Sequence, residues 1–303
     1  MTTPSLSAST PRGRMYRMEP DGPLVYPSIT TVAGMRHKEY LQGWYASMAG
    51  KRAVDMFAYL NRNPDRAGAE IRRVCANHWG TRKKIAAAAE DHSKAAADFG
   101  TLVHALCEDW ERSGARPDHD SIVARATAMR TEGAFSTERD LPDLLRRVGT
   151  RLDGFAGFLD DYQPEFVEIE QTVVNQTVGY AGTTDCLVRI GGAMLSGDIK
   201  TSKRVHGDYA LQGVAVVHAE NLLDNDGTLR DMPELTGAFI IHLPEAGGYR
   251  VVPLATTEKE FAVFCALRAA WAFDPEACAL QEVSSPKELL VTMLRAKGGL
   301  GTV

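Results

Sequence analysis

Along the chain, apolar positions recur with a helical period in several long stretches and then switch to a two-residue period. VYPSITTVAG reads as a short strand or extended entry, and HKEYLQGWYASMAGKRAVDMFAYL as a helix. From Lys84 to about Arg112, an alanine-rich run that turns amphipathic predicts another helix, interrupted at Gly100. Residues 113–140 are polar and read as a loop with a short helix. In LPDLLRRVGTRLDGFAGFLDDY, Leu141, Leu144, Leu145, Val148, Leu152, Phe155 and Phe158 fall on one side of a helix. EFVEIEQTVVN then alternates as a strand, and CLVRIGGAMLSGDIK reads as two strands about Gly191-Gly192. A helix from about Asp208 to Leu223, strand signals in TGAFIIHL and GYRVVPLA, and a helix over TTEKEFAVFCALRAAWAF complete the body. The predicted fold class is α/β, a mixed central β-sheet flanked by helices with an N-terminal helical elaboration. By segment, residues 1–14, rich in Pro, Ser, Thr and Arg, read as a disordered tail, and 15–90 as the helical region. Residues 91–275 form the core and 276–303 a C-terminal extension.

The Gly191-Gly192 pair suits a tight primed turn, which sets Ile190 opposite Ala193 and, further along, Asp185 opposite Asp198. Strand alternation then places Thr183, Leu187, Arg189, Met194, Ser196 and Lys200 on the face of the two aspartates. The other face carries Thr184, Cys186, Val188, Ile190, Ala193, Leu195 and Ile199, and being mostly apolar is expected to be the buried one. Directly opposed carboxylates, with Cβ atoms ~5 Å apart, destabilise a sheet. Three remedies are open: a proton on one of them, partial neutralisation by Lys200, or a divalent cation with oxygen ligands.

Composition narrows the partners. At 303 residues and 44% hydrophobic the chain can build a substantial core, while a formal charge of -5 leaves no global basic surface, so an anionic partner must be held locally. The basic stretch 62–84, read as loop-rich and including Arg82 and Lys83, is either a solvated face or a phosphate-facing patch. Trp44, Trp79 and Trp110 are read as core residues in preference to base-stacking ones. Five cysteines without a Cys-x-x-Cys pair argue against a zinc ribbon, an iron–sulfur cluster or a disulfide framework, and fit a reducing cytoplasm. The N-terminal residues lack a signal-peptide apolar region, and Phe261 to Phe273 is short and broken by Arg268, so no membrane association is expected.

Five ordered elements resemble the PD-(D/E)XK nuclease superfamily, specifically its phage-type, RecB-like and Cas4-like exonuclease branch. They are Gly100 to His104 in FGTLVH, Glu170, Gly179 to Asp185 in GYAGTTD, Asp198-Ile199-Lys200, and Tyr209 with Gln212 in YALQ. PSITTVAGMRHKEYLQGW is similar to the entry of phage members, so the resemblance runs from about residue 26 to 272. Val216 stands where such helices often carry Tyr, and the cysteine cluster of the Cas4 type is absent. The resemblance implies a restriction-endonuclease-like core and a Mg²⁺- or Mn²⁺-dependent DNA exonuclease with one or two ions and no iron–sulfur cluster. Its setting would be phage recombination or replication, with DNA ends as substrate and a recombination or replication protein or a second copy of the chain as further partners. An endonuclease on the same core, or a catalytically silent nucleic-acid-binding subunit, stays open.

The resemblance also implies roles. His104, Asp185, Asp198 and the Ile199 carbonyl would hold metal. Lys200 would orient or deprotonate the attacking water and stabilise negative charge. Glu170 would support metal, water or lysine, with Glu168 on the same strand face as its rival. Gln212 and Tyr209 would touch the scissile phosphate or fix Lys200. Lys203 and Arg204, with Arg82 and Lys83, would meet the DNA backbone.

Overall fold

A computed structural model describes residues 5–36, 40–131 and 141–274, with isolated positions at 285, 288 and 293; the expected C-terminal extension, 276–303, lies almost wholly outside them. The chain opens with β1 (Ser7–Thr10) and β2 (Gly13–Tyr16), an antiparallel hairpin to which β3 (Tyr26–Pro27) adds. This corrects the expected disorder over 1–14 from Ser7 onward. Leu6 and Tyr16 are buried against Val174, Ala181 and Leu223, so the hairpin has an apolar anchor that its polar composition hides. Next comes α1 (Ile29–Ala33), with the Ser28 hydroxyl accepting the Thr31 N–H at its start.

The long helix read from the sequence is α2 (Tyr40–Arg62). The basic stretch after it is helical, in α3 (Pro64–Ala76) and α4 (His78–Ala86), and not loop-rich. Pro64 in the first turn of α3 and the Asn77 side chain accepting the Gly80 N–H of α4 supply the helix starts. The helix expected from Lys84 to Arg112 is split at Ala87, so that α5 spans Ala88–Ser113. Its C-terminus meets Gly114 at φ 68°. Two further helices, α6 (His119–Thr131) and α7 (Leu141–Tyr162), follow.

The core sheet begins with β4 (Glu165–Asn175), β5 (Tyr180–Ile190) and β6 (Ala193–Lys200). Helix α8 (Tyr209–Val217) is shorter than expected, because Asn221–Leu223 leaves the helix as β7 and pairs antiparallel with β4. After it come β8 (Leu229–Asp231), β9 (Gly237–His242), β10 (Arg250–Pro253) and α9 (Glu258–Ala272). Seven strands run in the order β10-β9-β6-β5-β4-β7-β8, and β6 pairs with β9 in parallel while the other neighbours are antiparallel. The fold is thus a mixed α/β sheet with helices on its faces.

Helices α5 and α7 bring Leu102, Leu106, Val148 and Phe155 onto Cys186, Val188 and Ile199. Helices α1, α8 and α9 bring Ile29, Val214 and Phe264 onto Val173, Tyr180 and Leu187. Both faces are therefore buried, where the sequence pattern led us to expect one. Gly191 and Gly192, at φ 56° and 85°, form the primed turn, and the ladder runs from Ile190↔Ala193 to Cys186↔Gly197 in the expected register.

Candidate active site

Beyond Cys186↔Gly197 the β5–β6 ladder stops. The expected direct opposition of Asp185 and Asp198 is corrected here, since the Ile199 N–H is donated to Asp185 Oδ2 (2.8 Å) and not to backbone. At this end the Thr184 and Ser196 hydroxyls lie 3.0 Å apart, and β6 continues alongside β9. The opened strands admit a third element. His104, buried on α5, places Nδ1 3.1 Å from Asp185 Oδ2. Gly100, one turn earlier on the same helix, would bring a Cβ to 3.3 Å from Thr201 Oγ1, so its missing side chain allows α5 to lie close against the chain just past Lys200.

Glu170 interrupts β4 with φ 52°, a left-handed conformation costly for a residue with a Cβ, and it has no register partner although Ile169 and Gln171 do. There its carboxylate joins His104 and Asp185, the three offering ligand atoms within 4.8 Å of one another. Glu168 instead pairs with Arg230 at 2.6 Å on the sheet edge. Asp198 faces Lys200, whose Nζ lies 2.6 Å from Oδ1 and 2.5 Å from Oδ2. Lys200 Nζ also stands 5.4 Å from the Tyr209 ring centroid, and the Tyr209 hydroxyl donates to Ser202 Oγ (3.3 Å).

One cavity of about 140 Å³ is lined by His104, Glu170, Asp185, Asp198, Lys200, Tyr209 and Gln212 together. Ile199 does not line it; its side chain is in the core and its N–H is the group that meets Asp185. Arg14, Tyr16, Ser28 and Thr30 form a wall that motif spacing missed, and two of them fall in or at the edge of the supposed tail. No alternation in GRMY marked Arg14 or Tyr16 in advance. A wider groove of about 900 Å³ adjoins this cavity and shares His104 and Lys200 with it. Lys203 lines the groove, and Arg204 is exposed nearby on the same loop. Arg82 and Lys83 stand over the exposed ring of Trp79 on α4 and line neither space. Trp110 packs on Phe155 in keeping with the core reading of the three tryptophans, whereas Trp44 lines the groove and Trp79 is 60% exposed, and both depart from it. Arg147 and Arg151 on α7 also line the groove. Arg151 had a legible signal, a charged residue inserted among the apolar positions Val148, Leu152 and Phe155.

Burial disfavours charge throughout the cavity, and neighbours decide each group. On His104 burial is outweighed by the Asp185 carboxylate, and the pKa is raised. On Asp185 burial is overcome by His104, Lys200 and the Ile199 N–H, which hold the carboxyl well below the usual carboxylate range. Burial lifts Asp198 against the opposing pull of Lys200, with Asp185 adding to the rise. For Lys200 burial loses to Asp198 and Asp185, so the ammonium is retained to higher pH than usual. Burial first, then Asp185 and Glu108, push Glu170 up to about 7. The same causes push Glu111, seven residues after His104, up to about 9.

A set of one imidazole and two carboxylates, crowded enough that one acid is driven toward neutrality, fits a hard divalent cation. Among the described residues no helix is long and apolar enough to cross a membrane. No protein-family model matches the sequence, and no curated protein matches it. Among solved structures the chain is similar to an alkaline exonuclease from Laribacter hongkongensis, at a TM-score of 0.31 and 11% identity, covering 63% of this chain and 92% of that one.

Proposed function

We propose that the chain is a divalent-metal-dependent deoxyribonuclease, acting as an exonuclease of the phage type on DNA ends. The observation that carries this reading is the convergence of His104, Glu170 and Asp185 beside the Asp198–Lys200 pair in one cavity. The motif resemblance supplies DNA as the substrate. His104, Glu170 and Asp185 would hold the cation, Mg²⁺ or Mn²⁺, with Asp198 beside them. When bound, such an ion lowers the pKa of water and screens phosphate charge.

The chain's own groups divide the remaining work. Lys200, held as an ammonium by two carboxylates, is suited to stabilising negative charge that grows on phosphate oxygens and to orienting a water. It is poorly suited to take a proton. Glu170, pushed up to about 7 by burial and its acidic neighbours, would give up its proton on taking the cation and act there as a ligand. Gln212 and Tyr209 reach the cavity from α8, where an amide and a hydroxyl can position the scissile phosphate.

End-labelled linear and closed circular DNA, each incubated with Mg²⁺, Mn²⁺ or chelator, test the reading. Metal-dependent loss of linear DNA with circles spared is the expected outcome. Cleavage of circles would turn the assignment to an endonuclease, and binding without cleavage of any form would leave a silent DNA-binding subunit. Replacing Lys200 by Ala should lower the rate about 10²- to 10³-fold, as loss of one charge-stabilising donor does; an unchanged rate would remove Lys200 from the mechanism.

A further inference from the structure

Arg151 is 3% exposed, and its Nε and Nη1 are buried without a hydrogen-bond partner. An unsatisfied guanidinium inside a fold is costly, and such a group ordinarily finds an anion or a carbonyl. It has company of the same sign. Arg147, one turn earlier on α7, lies 4.3 Å from the Phe99 ring centroid, and Arg151 lies 5.5 Å from the same centroid. Arg147 has Asp143 at 3.9 Å. Both arginines line the 900 Å³ groove, as does Lys203 from the loop after β6, and the carboxylate lining it with them is the exposed Glu245. The groove opens directly onto His104 and Lys200. Burial lowers the Arg151 pKa while Glu245 offsets this in part, which agrees with a guanidinium short of negative charge.

We propose that Arg151, with Arg147 beside it on the Phe99 ring, is a phosphate-binding subsite that grips one backbone phosphodiester of the substrate strand on the α7 side of the reacting bond. This rests on the nuclease reading above and adds to it a place on the strand. A guanidinium fixed by packing offers its N–H fork to phosphate oxygens without having to be ordered first. Phe99 holds the plane of the fork, and the two positive charges that repel one another in the free protein share a single anion when it is occupied.

The test is a linkage scan. Short single-stranded oligonucleotides, each with one neutral methylphosphonate at a different position, are titrated against the full chain with Ca²⁺ replacing Mg²⁺ or Mn²⁺. The wild-type protein should lose affinity about 10- to 100-fold at one linkage, the scale of a hydrogen-bonded charged pair. Arg151→Gln should bind the unmodified oligonucleotide more weakly by a similar factor, show no further loss at that linkage, and have a salt slope lower by about one. Equal sensitivity of Arg151→Gln and wild type at every linkage would overturn the subsite. If Arg151→Gln does not fold, Arg147→Gln, whose side chain is 29% exposed, should blunt the same linkage, and an undiminished effect there would count against the proposal. Cleavage of the unmodified strand by wild type in Mn²⁺ separates the two claims. With cleavage intact and the scan blind to Arg151 the nuclease reading stands alone, and with neither binding nor cleavage both fall.

Discussion

The two ends of the β5–β6 hairpin obey different rules. At the turn, two glycines with positive φ and the run of pairs from Ile190↔Ala193 to Cys186↔Gly197 satisfy local geometry, and the residues there have little else to do. At the far end the ladder opens, the Ile199 N–H goes to a side chain, Glu170 on the neighbouring strand takes φ 52°, and His104, Glu170, Asp185, Asp198 and Lys200 are crowded into one cavity. One end is built for stability and the other is tolerated by it. Strain and buried charge of this kind persist only where the surrounding packing fixes them, and the two cores on either face of the sheet provide that packing.

The sharpest way to break the contrast is to discharge the open end without reshaping it. Asp185→Asn keeps an oxygen to accept the Ile199 N–H but removes the charge that holds His104 and would hold a cation. Cleavage should fall about 10²- to 10³-fold while the thermal midpoint moves little. A large drop in midpoint with activity per folded molecule preserved would make Asp185 structural. Second in size is a proton effect at Glu170. Its folded pKa of about 7 lies above the ordinary 4.5, so it favours the fold at low pH, and that contribution is lost as pH rises from about 4.5 through 7. In chelator, Glu170→Gln should therefore gain stability relative to wild type on going from pH 5 to pH 8, by on the order of 2 kcal/mol. Because a cation must displace this proton and the imidazolium proton of His104 as well, wild-type Mn²⁺ affinity should fall at least about tenfold per pH unit below 7. A pH-independent Mn²⁺ titration would place the ion away from Glu170.

The difference between the two ends also explains what could be read in advance. Local rules govern the turn, so Gly191-Gly192, the bounds of α7 and β4, and the register as far as Cys186 were legible from spacing alone. Motif order likewise singled out seven residues that do line one cavity. The break after Cys186 was not legible, because it depends on His104 arriving from another helix and on β9 pairing with β6 beyond it. Glu170 gave no sign of φ 52°, a conformation imposed by tertiary contacts, and the pattern alone did not separate it from Glu168. Nor did the polar residues before Tyr16 advertise a hairpin, since its anchor is two side chains, Leu6 and Tyr16, set ten positions apart.

The smallest effect is expected at the turn. A Cβ at Gly192 would meet no heavy atom within 4 Å, so Gly192→Ala adds no clash and its cost is the backbone strain of φ 85° alone. That strain is about 1 kcal/mol for a residue with a side chain, read as a lower denaturant midpoint at constant slope. Since the ladder between the turn and Cys186 is regular on both strands, the perturbation should be absorbed before it reaches Asp185. Cleavage by the folded fraction, Mn²⁺ affinity and the His104 titration should stay at wild-type values. If any of them moves with the midpoint, the two ends are mechanically coupled through β5 and β6, and the open end is held by the turn as well as by the helices packed over it.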